Sequence, residues 1–303
     1  MSINLISILG PTATGKTSLA VALAHKIGAE IISVDSRQVY RKMDIGTGKD
    51  IDEYEKLKVP YHLIDIAEPG EKYDMYKFLS DFYKAYEHIK QRQKKVVLCG
   101  GSGMYLEAIL KGYNIVKVPP NMELRKELNK LSDCSLVELL QTMKKLHNTS
   151  DTSSRERLIR AIEIQKYYQA HNISQTRESK LQHLNFGIEL PRSVVRKNIT
   201  ERLQQRLNEG MTDEVKSLLE AGVSPQTLKY YGLEYKFITM YLCREISYNE
   251  MFEKLNTAIH QFAKRQMTWF RRMEKNGITI HWINGLWPMS QKLNGILKLL
   301  KHK

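Results

Sequence analysis

The sequence predicts an α/β protein: a parallel sheet core flanked by helices and carrying a phosphate-binding loop of the P-loop type, with an all-helical subdomain inserted into it. Three observations carry this expectation. Short apolar runs alternate with helical patterns at both ends of the 303-residue chain, a glycine-bounded loop joins the first run to the first helix, and the strand pattern vanishes between Pro119-Pro120 and about Leu181.

The first strand candidate, Ile3 to Leu9, runs directly into Gly10-Pro11-Thr12-Ala13-Thr14-Gly15-Lys16-Thr17. Glycines in such a loop let the backbone wrap inward, so that several N–H groups and the start of the next helix converge on one anion. The lysine adds a mobile positive charge and the final hydroxyl can reach a magnesium ion. Gly10, Thr12, Ala13, Thr14, Gly15, Lys16 and Thr17 are therefore expected to hold a diphosphate or triphosphate, with Thr17 as the magnesium ligand. A chance match in a turn would not predict both the strand before it and the helix Ser18 to Ile27 after it.

Glu30 to Val34 is a second short run and ends at Asp35; Lys94 to Cys99 is a third and closes on Gly100-Gly101-Ser102-Gly103. Parallel sheets gather function at the carboxyl ends of their strands, which puts Asp35 and Ser102 on the same rim as Lys16. Many phosphoryl-transfer enzymes carry a magnesium-organising carboxylate on a later strand. Here that strand ends in glycines, and Asp35 is left as the candidate general base. Capping of a following helix is the competing role for Asp35, and on position alone the commoner one. The turn at Ser102 could hold a second phosphate or a base edge, with a plain strand-to-helix turn as the commoner reading.

From Met122 to about Leu181 the pattern is helical and charged, and Arg157 and Arg160 share one helix face, either as a phosphate clamp or as a solvated stripe. Phe186 to Leu190 resumes the strand pattern, helices follow to Lys275, and Ile278 to Ile283 is the last strand candidate. Residues 1–120 and 185–303 are thus expected to form a discontinuous core, with 121–184 as a helical insertion of the kind that acts as a lid. In Phe262-Ala263-Lys264-Arg265-Gln266-Met267-Thr268-Trp269-Phe270-Arg271-Arg272 the aromatics suit a core. Lys264, Arg265, Arg271 and Arg272 suit RNA phosphates.

A hydrophobic content of 42% suffices for one large core and one subdomain. Cys99, Cys134 and Cys243 lack paired spacing, so neither a zinc site nor a disulfide framework is expected, and they read as reduced thiols of a cytoplasmic protein. No apolar run approaches spanning length and no leader precedes the first strand, which argues against a membrane or secreted protein. The 47 Lys and Arg against 33 Asp and Glu leave a net charge of +14. A nucleic-acid partner accounts for such an excess, as does ordinary lysine-rich solubility.

Taken in order, Gly10 to Thr17, Asp35-Ser36-x-Gln38-x-Tyr40, Met43 to Lys49, Pro60 to Asp65, Gly100 to Tyr105, Arg157-x-x-Arg160-Ala161-Ile162-Glu163 and Ala263 to Gln266 resemble the tRNA isopentenyltransferase family, from Ile3 to about Trp282. Each motif alone is modest, whereas the ordered set is specific. The resemblance implies transfer of a dimethylallyl group from dimethylallyl diphosphate to N6 of adenosine 37, in the anticodon stem-loop of tRNAs reading codons that begin with U. The products would be N6-dimethylallyladenosine and diphosphate. It implies that the loop holds a leaving diphosphate, that Lys16 and a magnesium ion on Thr17 stabilise it, and that Asp35 takes the proton from the exocyclic amine.

By the same resemblance Asp35, Ser36, Arg37 and Gln38 meet the adenine, while Ser102, Arg125, Arg157 and Arg160 lie near the tRNA with Lys264 and Arg265. The adenine would leave its stack to reach the site, and the protein would act as a monomer. Ser102 stands where Thr is usual, and Asn198 and His260 where Arg is usual. A small-molecule adenylate prenyltransferase, a P-loop nucleotide kinase and a non-catalytic RNA-binding relative are the competing functions. The first needs neither the long helical insertion nor the basic end.

Overall fold

The computed structural model describes the chain except residues 1, 2, 4, 145, 147–150, 175, 177–180, 302 and 303. β1 (Leu5–Leu9) is buried along its whole length, as a strand covered on both faces must be. It is followed by α1 (Lys16–Ile27), β2 (Glu30–Ser33), α2 (Ile51–Lys56), the short β3 (Tyr61–His62), α3 (Met75–Gln91), β4 (Val96–Gly100) and α4 (Gly103–Leu110). Three helices come next: α5 (Met122–Leu128), α6 (Asp133–Met143) and α7 (Arg155–Ala170). β5 (His183–Glu189) then returns to the sheet and leads into α8 (Arg192–Asn208), α9 (Met211–Glu220), α10 (Pro225–Tyr230), α11 (Leu233–Leu242) and α12 (Tyr248–Lys275). β6 (His281–Asn284) and α13 (Met289–Lys301) end the chain.

The strands form one parallel sheet in the order β3-β2-β4-β1-β5-β6. Its register determines where chemistry can collect. Leu9 pairs with Gly100 and Ser33 with Cys99, so Gly10, Asp35 and Gly101 leave their strands along one rim. From β1 the chain passes over β4 to reach β2 on one side, and β5 joins on the other. At such a switch the loops diverge and leave a crevice.

Two compact units make up the chain: Met1–Leu110 with Ser179–Lys303, and Lys111–Glu178. In the first, one apolar cluster packs α1 and α13 onto the sheet around Ile8, Leu19, Val97 and Phe186, and a second joins α8 to α12 around Leu203, Met211, Ile238 and Leu255. The second unit has its own core of Leu128, Leu136, Leu140, Leu158 and Ile162. It begins before the expected residue 121, because Tyr168 donates to the carbonyl of Asn114 (2.8 Å) and accepts from the Val116 N–H (3.2 Å). Those bonds tie the stretch after α4 to α7.

The 28-residue α12 starts at a capping box formed by Ser247 and Glu250. Its buried stripe of Met251, Leu255, Ile259, Ala263, Gln266, Phe270 and Met273 recurs every three or four positions, leaving Lys264 and Arg265 outward. β3 has no counterpart among the strand candidates read from the sequence; its two residues pair with Ile31 and Ile32 at the sheet edge. Cys99 is buried, Cys134 and Cys243 are exposed, and all three are free. Among the described residues no helix is long and apolar enough to cross a membrane.

Candidate active site

The loop from Gly10 to Thr17 closes on itself through Thr14, whose hydroxyl donates to the carbonyl of Pro11 (2.8 Å), and Lys16, whose ammonium reaches the same oxygen (3.4 Å). Gly15 takes the left-handed conformation (φ 77°) at the N-cap of α1, whose first-turn N–H groups have no partner within the helix. Two distant helices brace this loop. Gln266 on α12 accepts from the Thr12 N–H (2.9 Å) and donates to the carbonyl of Gly101 (3.0 Å), tying the turn after β1 to the turn after β4. Asn198 on α8 donates to the carbonyl of Ala13 (3.2 Å).

A Cβ at position 101 would lie 2.3 Å from the Gln266 amide, so the glycine there makes room for the brace. Gln266 was legible only as part of a motif and not as a site residue, since its partners are 165 and 254 positions away. Ser102, half-buried, follows this turn at the start of α4.

Burial pushes the Lys16 ammonium below its ordinary range, with Arg202 adding to the effect and Cys99, Asp35 and Asp50 opposing it. An anion in the loop would oppose this shift by favouring the charged form. Burial also raises the Cys99 thiol to about 12, so it stays protonated beside Lys16 and Thr17.

Asp35 is not followed by a helix. Its carboxylate accepts the Arg37 N–H (2.8 Å) in a local turn, so helix capping gives way to an Asx turn that leaves one carboxylate oxygen uncommitted to it. Ser36 is half-buried beside it. Gln38 is held at both ends of its amide, by Ser33 (2.7 Å) and by the carbonyl of Gly48 (2.8 Å). The motifs from Met43 to Lys49 and from Pro60 to Asp65 meet at Lys49, which is buried and bonded to the carbonyl of Tyr40 (2.7 Å), Asp44 and Asp65. Glu214 on α9 holds the same loop by accepting the N–H groups of Asp44, Ile45 and Gly46. These groups shape the rim and have no evident chemical role of their own.

Beside the loop lies a small pocket open to solvent, lined by Thr12, Ala13, Arg202, Arg206 and Glu234 with apolar side chains around them. Arg202 reaches Asp50 at 3.3 Å and Arg206 at 3.7 Å, and one terminal nitrogen of Arg206 is buried without a hydrogen-bond partner. Burial lowers the Arg206 guanidinium and raises the Glu234 carboxyl. Two guanidinia, both facing Asp50, thus line this pocket with Glu234, and sequence reading missed them as site residues because nothing local distinguishes them from a solvated helix face.

Lys264 and Arg265 are exposed, Arg265 resting over the Phe262 ring at 6.0 Å. Arg272, expected at phosphates, is instead engaged by the buried Glu107 (2.6 Å) and lies over Trp269 at 4.1 Å. The cause is a buried carboxylate that needs compensation.

In the second unit, Arg125 makes a two-pronged pair with the buried Glu163 (2.9 and 2.8 Å), and Arg160 bonds both Glu163 and the carbonyl of Val118 (2.8 Å). Arg157 stays apart and donates to Ser153 (3.2 Å). Burial alone would raise the Glu163 carboxyl, but Arg125, the Asn121 N–H and Arg160 outweigh it and hold it at about 2. Because the folded value lies below the ordinary 4.5, this stabilisation is present above about pH 4.5 and lost as pH falls toward 2. Glu163→Ala should destabilise the unit by about 2–3 kcal/mol, a little below a fully enclosed pair because both arginines keep part of their surface in water. Urea unfolding at pH 7 and pH 3 checks this: the difference between the variant and the parent should shrink at the lower pH.

A glycine-bounded loop, a carboxylate and two guanidinia lie on the carboxyl rim of a parallel sheet, where α/β enzymes of this architecture bind their ligands. Comparison narrows the class. Residues 38–273 match the family described as IPP transferase. The chain is 52% identical over 303 residues to tRNA dimethylallyltransferase 2 of Phocaeicola vulgatus, covering 99% of this chain and 98% of that one. It is 50% identical over 300 residues to tRNA dimethylallyltransferase 1 of Geotalea uraniireducens, covering 99% and 98%. It is also similar to the crystal structure of tRNA isopentenylpyrophosphate transferase from Staphylococcus epidermidis, with a TM-score of 0.71 at 32% identity over 98% of each chain. A eukaryotic dimethylallyltransferase crystallised acting on tRNA shares the fold, with a TM-score of 0.75 at 22% identity over 93% of this chain and 74% of that one. The chain belongs to the IPP transferase family.

Proposed function

We propose that the protein transfers the dimethylallyl group of dimethylallyl diphosphate to N6 of adenosine 37 in tRNAs reading codons that begin with U. The names of its relatives support the reaction class. The observation that carries the site is the register that sets Asp35 beside the anion loop while β4, where a kinase-type carboxylate would stand, ends in glycine. Such a site suits a reaction in which diphosphate leaves and no phosphoryl group moves.

In the proposed reaction N6 attacks the first carbon of the prenyl group, the carbon–oxygen bond to diphosphate breaks, and the N6 proton passes to Asp35. Lys16, the loop amides and the guanidinia of Arg202 and Arg206 take up charge on the departing diphosphate. Among the described residues no group of three or more His, Cys, Asp and Glu could hold a metal ion, and the Thr17 hydroxyl lies at the start of α1. This donor set fits magnesium held mainly by phosphate oxygens and water, with Thr17 as its protein ligand. Such an ion would supply further charge neutralisation to the leaving group.

The deciding experiment incubates the protein with unmodified tRNA and either dimethylallyl diphosphate or ATP, followed by nucleoside mass spectrometry. Prenylated adenosine is expected from the first mixture; phosphoryl transfer from ATP with unmodified tRNA would establish a kinase instead.

Binding of tRNA should fall steeply with salt. Neutralising Arg157, Lys264 or Arg265 should each flatten the slope of log affinity against log salt by roughly one unit. Arg125 and Arg160, which bind Glu163, should act mainly through stability. Filter binding of the single variants across a salt series measures both effects, and salt-independent binding would contradict the phosphate contacts.

A further inference from the structure

Tyr230, the last residue of α10, is 65% exposed, unusually so for a large aromatic, and its ring is not left to water alone. The Arg37 guanidinium lies over it at 5.3 Å and donates to the Tyr230 carbonyl (3.0 Å). Arg37 is fixed from its other end, because its backbone N–H donates to Asp35. The neighbouring Tyr231 is buried, packs against Tyr40 at 4.4 Å and also lies within 5.9 Å of the guanidinium, so the base of the pair is rigid. An exposed phenol ring backed by a planar cation is thereby anchored to the same turn that presents the proposed base.

We propose that Tyr230, oriented by Arg37, is a stacking platform for an unpaired nucleobase flanking the adenosine that reacts. The inference rests on RNA being the acceptor. Aromatic rings bind bases face to face without regard to sequence, and a guanidinium beside the ring adds cation–π attraction and a contact for the adjoining phosphate. A reacting adenine turned out of its stack leaves its neighbour with one bare face, and a ring tied through Arg37 to the turn of Asp35 can cover that face. A free adenylate has no flanking base, so the platform would favour RNA over a small acceptor.

The test compares the wild-type full chain, Tyr230→Ala and Tyr230→Phe with an anticodon stem-loop RNA carrying 2-aminopurine at one or the other nucleotide flanking the target adenosine. Tyr230→Ala should raise KM for the RNA by about tenfold or more, while kcat at saturating RNA and KM for the prenyl donor change little; Tyr230→Phe, which keeps the ring, should restore the low KM. Emission of 2-aminopurine at one flanking position should be quenched in the wild-type and Tyr230→Phe complexes and brighter in the Tyr230→Ala complex. An unchanged KM in Tyr230→Ala, equal emission in all three complexes, or an equal defect in Tyr230→Phe would overturn the platform. A wild-type protein that prenylates AMP and ignores the stem-loop would overturn the RNA acceptor itself, an outcome distinct from the loss of stacking alone.

Discussion

Lys16→Ala is expected to lower turnover by on the order of a hundredfold or more, the loss typical of removing one preorganised electrostatic stabiliser. The ammonium sits at the start of α1, above a loop held by Gln266 and Asn198, so its removal should leave the cradle in place. Affinity for tRNA should change little. Single-turnover kinetics at saturating donor give the clearest measure, and an undiminished rate would remove the diphosphate from this loop. Burial depresses the lysine in the free protein, so kcat/KM for the donor should begin to fall with rising pH earlier than an ordinary lysine would cause. In Lys16→Ala that limb of the profile should be absent.

Asp35→Asn is expected to lower the rate by about a hundredfold to ten-thousandfold, the range for losing a general base. An asparagine oxygen can accept the Arg37 N–H as the carboxylate does (2.8 Å), so the turn, the fold and donor binding should survive. Circular dichroism and donor affinity serve as controls, with prenyl transfer to tRNA as the readout. Full activity in the asparagine variant would reduce Asp35 to the turn it makes.

The strand, loop and first helix around Lys16 were legible because every signal for them lies within a few residues: an apolar run, glycines at fixed spacing and a helical pattern after them. The same holds for the placement of Asp35 at a strand end, since a parallel sheet gathers its carboxyl ends on one rim whatever the side chains do. The role of Asp35 in its turn was not legible, because a helix cap and an Asx turn begin with the same residue type and differ only in the backbone that follows. Nor could the arginines be sorted by sequence. Arg157 and Arg160 are three apart on one helix, yet Glu163 engages Arg160 and Arg125 and leaves Arg157 aside.

The sequence by itself determined the fold class, the strand, loop and helix around Lys16, the strand-end position of Asp35 and the family, all of which follow from local patterns in fixed order. Only the tertiary structure decided that Gln266 braces the loop, that Glu107 engages Arg272, that Arg202 and Arg206 face a cavity at Thr12 and Ala13, and that Tyr230 carries Arg37. The physical reason is distance along the chain. A buried carboxylate, a bare backbone N–H or an exposed ring finds its partner wherever packing delivers one, here 165, 254 and 193 positions away, and no local pattern of charge or hydrophobicity encodes that meeting.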